Sequence, residues 1–593
     1  MKKLIRISLV SLLVAAAALV AVYRAVNRVP SADLPQSERV YRIFEEGGCL
    51  SCHSADPKLP FYAKFPVAGK MVMNDVDSGY RAYDMTKFME DLKNGTEVNA
   101  VDLAKVEKVV LDDRMPMPKY YLVHWGSSIT KEKREVILNW VRDVRIAMYD
   151  DGLTGDKAVE PVRPIARSLE VDPAKAALGF ELFHDPRLSV DNTVSCASCH
   201  DLETAGVDNH RYSHGVDDQL GGVNAPTVFN AVYNFVQFWD GRAKTLADQA
   251  AGPPLNPVEM ASPSFDDIIA KLNADRKFRK AFEKVYPDGI TEANITDAIE
   301  EFERTLITPD SPFDKWLRGD ENALTAEQVE GYSLFKKYDC ATCHVGPNLG
   351  GLSYELMGLR RHYFAERGLE LTNEDNGRFK ETQLERDRHR FKVPGLRNVE
   401  HTWPYYHDGT RETLEDAVRD MGIYQSGVEL TSLEVDQITS FLKTLTGEYQ
   451  GKLLTNDTPR DVIHDHDHDH DHGENAHYWL SPAHYEMQVE ALCHGLSEVF
   501  PQYKERIEAN AEAYLIKIRQ LQQICQTEMA PYAGTHIVIL NEAFAYLAMD
   551  CGLEVTASVH MEQDTALSAA LLGQITDTIR NHDVTMVLAE PRY

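Results

Sequence analysis

The longest unbroken apolar run in the chain opens it. Residues 7–23 carry no charge; Lys2, Lys3 and Arg6 precede them and Arg24 closes them. A run of that length falls within the range of a membrane-crossing helix, and a basic start before an apolar stretch also describes a secretory signal. No small-x-small cleavage site with a polar run after it follows. The segment therefore reads as an uncleaved anchor, with a cleaved signal as the alternative. Both readings export the rest of the chain. After a short linker at residues 30–35 the pattern turns helical: Val136, Ile137, Trp140, Val141 and Val144 recur at helical spacing and predict a helix over 131–148. Residues 150–164, rich in Gly, Pro and Asp, read as a linker. From there to about 449, short helical patterns alternate with long Gly/Pro-rich loops and few strand-like alternations. A second linker at 455–459 leads into a strict His-Asp alternation at 464–472. Residues 479–526 then read as helix-rich. Apolar runs at 536–540 and 585–588, between helical stretches, predict an α/β unit.

Length and charge narrow this picture. A chain of 593 residues is too long for one core and predicts several domains. A net charge of −30 excludes nucleic acid as a partner and describes a solvated surface. Of nine cysteines, six fall in three identical patterns: Cys49-Leu-Ser-Cys52-His53, Cys196-Ala-Ser-Cys199-His200 and Cys340-Ala-Thr-Cys343-His344. Two thiols three residues apart reach the two vinyl groups of one porphyrin, and the adjacent histidine supplies a proximal nitrogen to iron. One such pattern also describes a redox dithiol or half a zinc site; three in an exported chain point to three covalently bound haem c groups. Porphyrins that supply much of each core fit the loop-rich pattern. The fold class expected is mainly α: an N-terminal membrane helix (1–30), three c-type haem domains of class I cytochrome c type (31–150, 160–320 and 321–455), then a partial α/β lobe (456–593).

Each iron needs a sixth ligand or an open position. Met115 and Met117, in Arg-Met-Pro-Met-Pro, are candidates for the first haem. His210 and His214 follow the second motif, and Met421 stands before a glycine in a polar setting after the third. At these residues the chain resembles the bacterial di-haem cytochrome c peroxidases. The likeness runs collinearly from about 165 to 449 through LFHDPRLS, SCASCH, APTVFNAVYNFVQFWDGRAKTLADQAAGP, VEM, FERTLITPDSPFD, CATCH, NLGG, VPGLRNVEHTWPYYHDG and MGIYQSG. The resemblance implies a peroxidatic haem on Cys196, Cys199 and His200, blocked at rest by His214. It implies an electron-transfer haem on Cys340, Cys343, His344 and Met421. It further implies Glu259 as the distal acid/base, Gln249 as the distal glutamine, Trp239 between the two haems, His407 near the high-potential haem, and Asn224, Thr402 and Pro404 on a calcium ion. Peroxide heterolysis needs a proton moved between its two oxygens, which a carboxylate near iron performs when burial raises its pKa. A Met ligand raises and a His ligand lowers a haem potential, so a His-Met store beside a His-His site is chemically coherent. The first 150 residues resemble the extension of tri-haem, membrane-anchored members that act as quinol peroxidases, which implies Met115, then Met117, on the haem of Cys49, Cys52 and His53.

The stretch after 464 resembles the periplasmic binding proteins of zinc and manganese transporters, through its His/Asp run, HYWLSP and FAYLAMDCGLEV. His477 and Glu590 match zinc ligands of that family; Asn541 stands where it usually places a histidine, and the first lobe is missing. Cys493, Cys525 and Cys551 lack motif spacing and read as core or free thiols. The function expected is reduction of hydrogen peroxide to water on the periplasmic side of the inner membrane. Electrons would come from quinol, or from a soluble c-type cytochrome or cupredoxin. A homodimer is compatible with the pattern. A non-catalytic multihaem carrier, with zinc binding by the tail, is the alternative. A protein-oxidising relative is disfavoured because that relative has tyrosine where Met421 stands.

Overall fold

The computed structural model describes residues 2–121, 123–456, 480–539, 544–558, 579–580, 584 and 586–588. The chain divides into two compact units, Met1–His464 and Asp465–Tyr593.

The first unit is mainly helical. Its Lys2–Val26 helix holds the one stretch among the described residues, Arg6–Val26, long and apolar enough to cross a membrane, and its side chains are exposed. Four helices follow it around a small core: Gln36–Gly47, Thr86–Asn94, Ala100–Leu111 and Lys131–Met148. Ile43, Phe88, Leu103, Ile137 and Val141 meet there. The last helix spans the range that the apolar spacing predicts, and the Thr130 side chain accepts from the Lys133 amide at its start.

Two further helical cores repeat one solution. The Pro173–Phe183 helix crosses the Glu292–Glu303 helix at Gly179, where a Cβ would lie 1.8 Å from the Ala298 carbonyl oxygen. The Ala326–Lys337 helix crosses Ser432–Lys443 at Gly331, where a Cβ would lie 1.9 Å from the Gln437 carbonyl oxygen. Glycine is required at both crossings because the backbones themselves touch. Between the cores, loops carry two short antiparallel strand pairs, Tyr354–Leu356 with Arg390–Lys392 and Glu448–Tyr449 with Lys452–Leu453.

Residues 150–164 are not a free linker. Val162 is fully buried, Arg163 donates to the Ala158 carbonyl, and Glu160 accepts from Tyr332 Oη at 2.5 Å and Lys336 Nζ at 3.0 Å. The Gly/Pro/Asp composition marks an irregular path, but side chains along it pack against the core that the Ala326–Lys337 helix helps to form.

A buried ion pair ties this strap to the loops: Arg397 meets Asp314 at 2.8 Å with both side chains fully buried, and it donates to the Arg163 carbonyl and to Ser311 Oγ. Removing one member leaves an uncompensated buried charge. Arg397→Met is therefore expected to cost about 3–5 kcal/mol, read as a shift in the denaturation midpoint of the haem-loaded protein; a loss under about 1 kcal/mol would contradict it.

In the second unit, Pro482–Val499 packs on Lys504–Met529. Strands His536–Ile539, Glu554–Ser558 and Met586–Leu588 form a parallel sheet with the first of them central. The α/β expectation for the tail is met by this sheet. The His-Asp run at 464–472, His477, Asn541 and Glu590 lie outside the described residues.

Candidate functional site

The histidine of each motif is oriented by a backbone carbonyl of another residue. His53 Nδ1 lies 2.9 Å from the Tyr83 carbonyl oxygen, His200 Nδ1 3.3 Å from that of Gly206, and His344 Nδ1 2.9 Å from that of Leu349. Such a bond places the proton on Nδ1 and leaves Nε2 as the donor atom for a metal. The six motif cysteines form no disulfide. Burial pushes the thiols of Cys49, Cys196, Cys199, Cys340 and Cys343 up to about 12. Redox dithiols need depressed values, so these pairs are poor dithiol centres. The donor set of each motif fits haem c, and at the first and third motifs a cavity accompanies it.

A continuous cavity of about 720 Å³ joins the first and third motifs. Cys49, Cys52 and His53 line one end with Met115 and Met117, so both methionine candidates stand at the first site. Cys340, Cys343, His344 and Met421 line the other end, and Trp239, Asn224, Thr402, Pro404 and His407 border the same space. The two domains meet around it. Arg114 donates to both oxygens of Asp339 at 2.5 and 2.6 Å, and Lys105 pairs with Glu355 at 2.7 Å. Arg114 immediately precedes Met115 and Asp339 immediately precedes Cys340, so this pair links the backbones at the two sites directly.

Beside this cavity, Trp239 Nε1 donates to the Asn224 carbonyl at 2.9 Å, and Asn224 Nδ2 donates to the His210 carbonyl at 3.0 Å. The Asn224 side-chain nitrogen is thereby committed, which leaves its oxygen as the atom suited to a cation. Glu259 is half-buried. Burial raises its pKa, against Arg242 and a 2.6 Å hydrogen bond from Asn256. The loop carrying His214 is pinned to the Glu259 backbone: the Val216 amide donates to the Glu259 carbonyl at 2.8 Å. A Cβ on Gly215 would lie 2.2 Å from the Val258 carbonyl oxygen, so only glycine permits that approach. His214 Nδ1 sits 2.6 Å from Asp218, and its side chain keeps about a third of its exposure. Gln249 is half-buried on the Leu246–Ala250 helix.

Several participants carry no local signal. Glu303, buried, has its pKa raised to about 8 by burial. Lys392 lines the cavity and is lowered to about 8 by burial. Asp375, Asp408 and His407 group closely enough for a metal, but Arg367 already pairs both carboxylates at 2.5 and 2.6 Å, so the cluster is balanced by a guanidinium. Only their burial unites these groups, and spacing does not reveal it.

Cysteine pairs, each followed by a histidine oriented through a backbone carbonyl, in a mainly helical unit describe a haem-binding protein of the c-type cytochrome class. Family models match three parts of the chain: di-haem cytochrome c peroxidase over residues 173–322, a haem-binding domain over 13–143, and zinc-uptake complex component A, periplasmic, over 425–593. Cytochrome c peroxidase Ccp of Escherichia coli is 48% identical over 423 residues, 71% of this chain and 90% of that protein. Cytochrome c551 peroxidase of Nitrosomonas europaea is 48% identical over 316 residues, covering 52% and 92%. That of Pseudomonas aeruginosa is 43% identical over 306 residues, covering 51% and 87%. The chain belongs to the di-haem cytochrome c peroxidase family and is a haem peroxidase, with a C-terminal region similar to the zinc-uptake component.

Proposed function

We propose that this enzyme reduces hydrogen peroxide to two waters with electrons drawn from quinol in the inner membrane, on whose periplasmic face the Lys2–Val26 helix anchors it. The observation that carries the reading is the Glu259 carboxyl, its pKa raised by burial, on a segment hydrogen-bonded through its backbone to the loop of His214.

Three haem c groups are held by Cys49, Cys52, His53 and Met115 (Met117 second); by Cys196, Cys199, His200 and, at rest, His214; and by Cys340, Cys343, His344 and Met421. Bound haem supplies an iron that binds peroxide and stores electrons. The chain does the rest. Glu259 takes the proton from one peroxide oxygen and returns it to the other, and its raised pKa suits both directions. Gln249 orients the peroxide. His214 withholds the second site until the third is reduced. Trp239, held by Asn224, borders the space that the first and third sites share. Asn224, Thr402 and Pro404 supply oxygens to a calcium ion, a hard cation that favours such ligands. For the tail we propose periplasmic zinc binding, with His477 and Glu590 as its protein ligands.

The full chain in liposomes, given quinol and peroxide but no soluble cytochrome, is expected to consume peroxide. If only a soluble cytochrome or cupredoxin supports turnover, the quinol donor is wrong. If no donor does, the chain is an electron carrier.

A further inference from the structure

The foot of the N-terminal helix is built into the first haem domain. Asn27, buried, donates from Nδ2 to the Trp125 carbonyl at 2.7 Å, and its Oδ1 accepts from the Ser128 amide at 3.2 Å. One residue before Trp125, His124 meets the Tyr62 hydroxyl through Nε2 at 2.7 Å. Its ring stacks on Tyr120 with centroids 4.0 Å apart. Tyr120 in turn lines the cavity end formed by Cys49, Cys52 and His53. An aromatic and imidazole column thus runs from the helix foot to the first haem site.

Tyr62 lies on a segment that exposes apolar side chains: Phe61 at 75%, Phe65 at 56% and Val67 at 77%. Lys58, Lys64 and Lys70 alternate with them and are exposed. Such alternation suits the bilayer interface, where rings enter the acyl boundary and ammonium groups reach the headgroups. Its link to the helix foot through Tyr62, His124 and Trp125 puts this surface on the membrane side of the domain.

We infer that Tyr62 and His124 form the oxidation site for a lipid-soluble benzoquinol, entered from the bilayer past Phe61 and Phe65. This rests on the quinol reading above and gives it a place. A quinol hydroxyl against Tyr62 loses its proton to Tyr62 Oη as the Tyr62 proton moves to His124 Nε2, and one electron leaves for the ferric iron of the Cys49–Cys52 haem. The imidazolium then releases its proton to water. The second hydroxyl repeats the sequence after the first electron has moved on. Quinol becomes quinone, two protons reach water, and two ferric irons become ferrous. Partial burial lowers the His124 pKa, which keeps the ring neutral and ready to accept a proton.

The test follows anaerobic haem reduction in the full chain, in liposomes of phosphatidylcholine and phosphatidylglycerol, by decylubiquinol and separately by ascorbate-reduced tetramethylphenylenediamine. His124→Phe preserves the stack on Tyr120 and removes the acceptor. Its ratio of quinol rate to dye rate is expected to fall at least tenfold, and Tyr62→Phe is expected to lower the same ratio. Phe61→Ser with Phe65→Ser is expected to raise KM for decylubiquinol with kcat held. A His124→Phe ratio equal to wild type overturns the site and leaves the quinol reading standing. Equal slowing with both donors also overturns it, since the residue then acts on the haem. A wild-type chain that quinol does not reduce overturns both.

Discussion

Glu259→Gln is expected to lower peroxide turnover by about 10²–10⁴-fold, the contribution typical of a positioned general acid–base group. Gln keeps the size and can still accept the hydrogen bond from Asn256, but it cannot carry a proton between the two peroxide oxygens. The effect should fall on kcat and kcat/KM alike, with the haem spectra and the reduction of the third site unchanged. The wild-type pH profile supplies an independent check. Burial raises the Glu259 pKa, so the carboxylate that accepts the first proton is lost as pH falls through a value above the ordinary carboxylate range. That acid limb should vanish in the variant. The stability sign also follows: a raised folded-state pKa contributes stability below the unfolded value and loses it as pH rises through the folded one. Glu259→Gln should therefore be no less stable than wild type at pH 7. A variant that is inactive because it has unfolded would contradict the assignment.

His214→Gly is expected to make the fully oxidised enzyme active at once, without the lag in which the third site is reduced. The loop around His214 is built to change. Asp217 and Asp218 both hold positive φ, 56° and 59°, a conformation that costs non-glycine residues roughly 1–2 kcal/mol each, although aspartate tolerates it better than most. The strain is offset by His214 against Asp218, Gly215 N on the Gln219 carbonyl and Val216 N on the Glu259 carbonyl. A loop held in a costly conformation by a few bonds has a second arrangement within reach. The measurement is the initial rate of peroxide consumption by oxidised enzyme after rapid mixing with a soluble donor. A variant that keeps the wild-type lag would remove His214 from the gate.

The parts of the site legible in the sequence are those whose chemistry is local. The cysteine-histidine pattern proposed for haem attachment is two thiols and a histidine within five consecutive residues, so Cys49–His53, Cys196–His200 and Cys340–His344 are legible without the fold. The helix over Lys131–Met148 is legible for a related reason, since one stripe of apolar side chains meets one core. Residues 150–164 read as a linker in composition, which irregular packed backbone and free chain share; that Arg163, Val162 and Glu160 find partners far along the chain is not written there. Tyr62 carried a faint signal in the alternation of Lys58, Phe61, Lys64 and Phe65, whose meaning depends on the contact with His124, 62 residues away.

The sequence by itself determined the three attachment motifs, the apolar N-terminal segment, the helical class of the first 450 residues and the membership of the peroxidase family, because each is written in spacing or composition over short stretches. Only the tertiary structure decided that Arg114 and Asp339 bring the first and third sites to one cavity, and that Glu259 is desolvated on a segment hydrogen-bonded to the His214 loop. It also set Tyr62 and His124 at the foot of the N-terminal helix. These are relations between segments tens to hundreds of residues apart, and proximity and burial, which set both pKa and reach, exist only once those segments have packed.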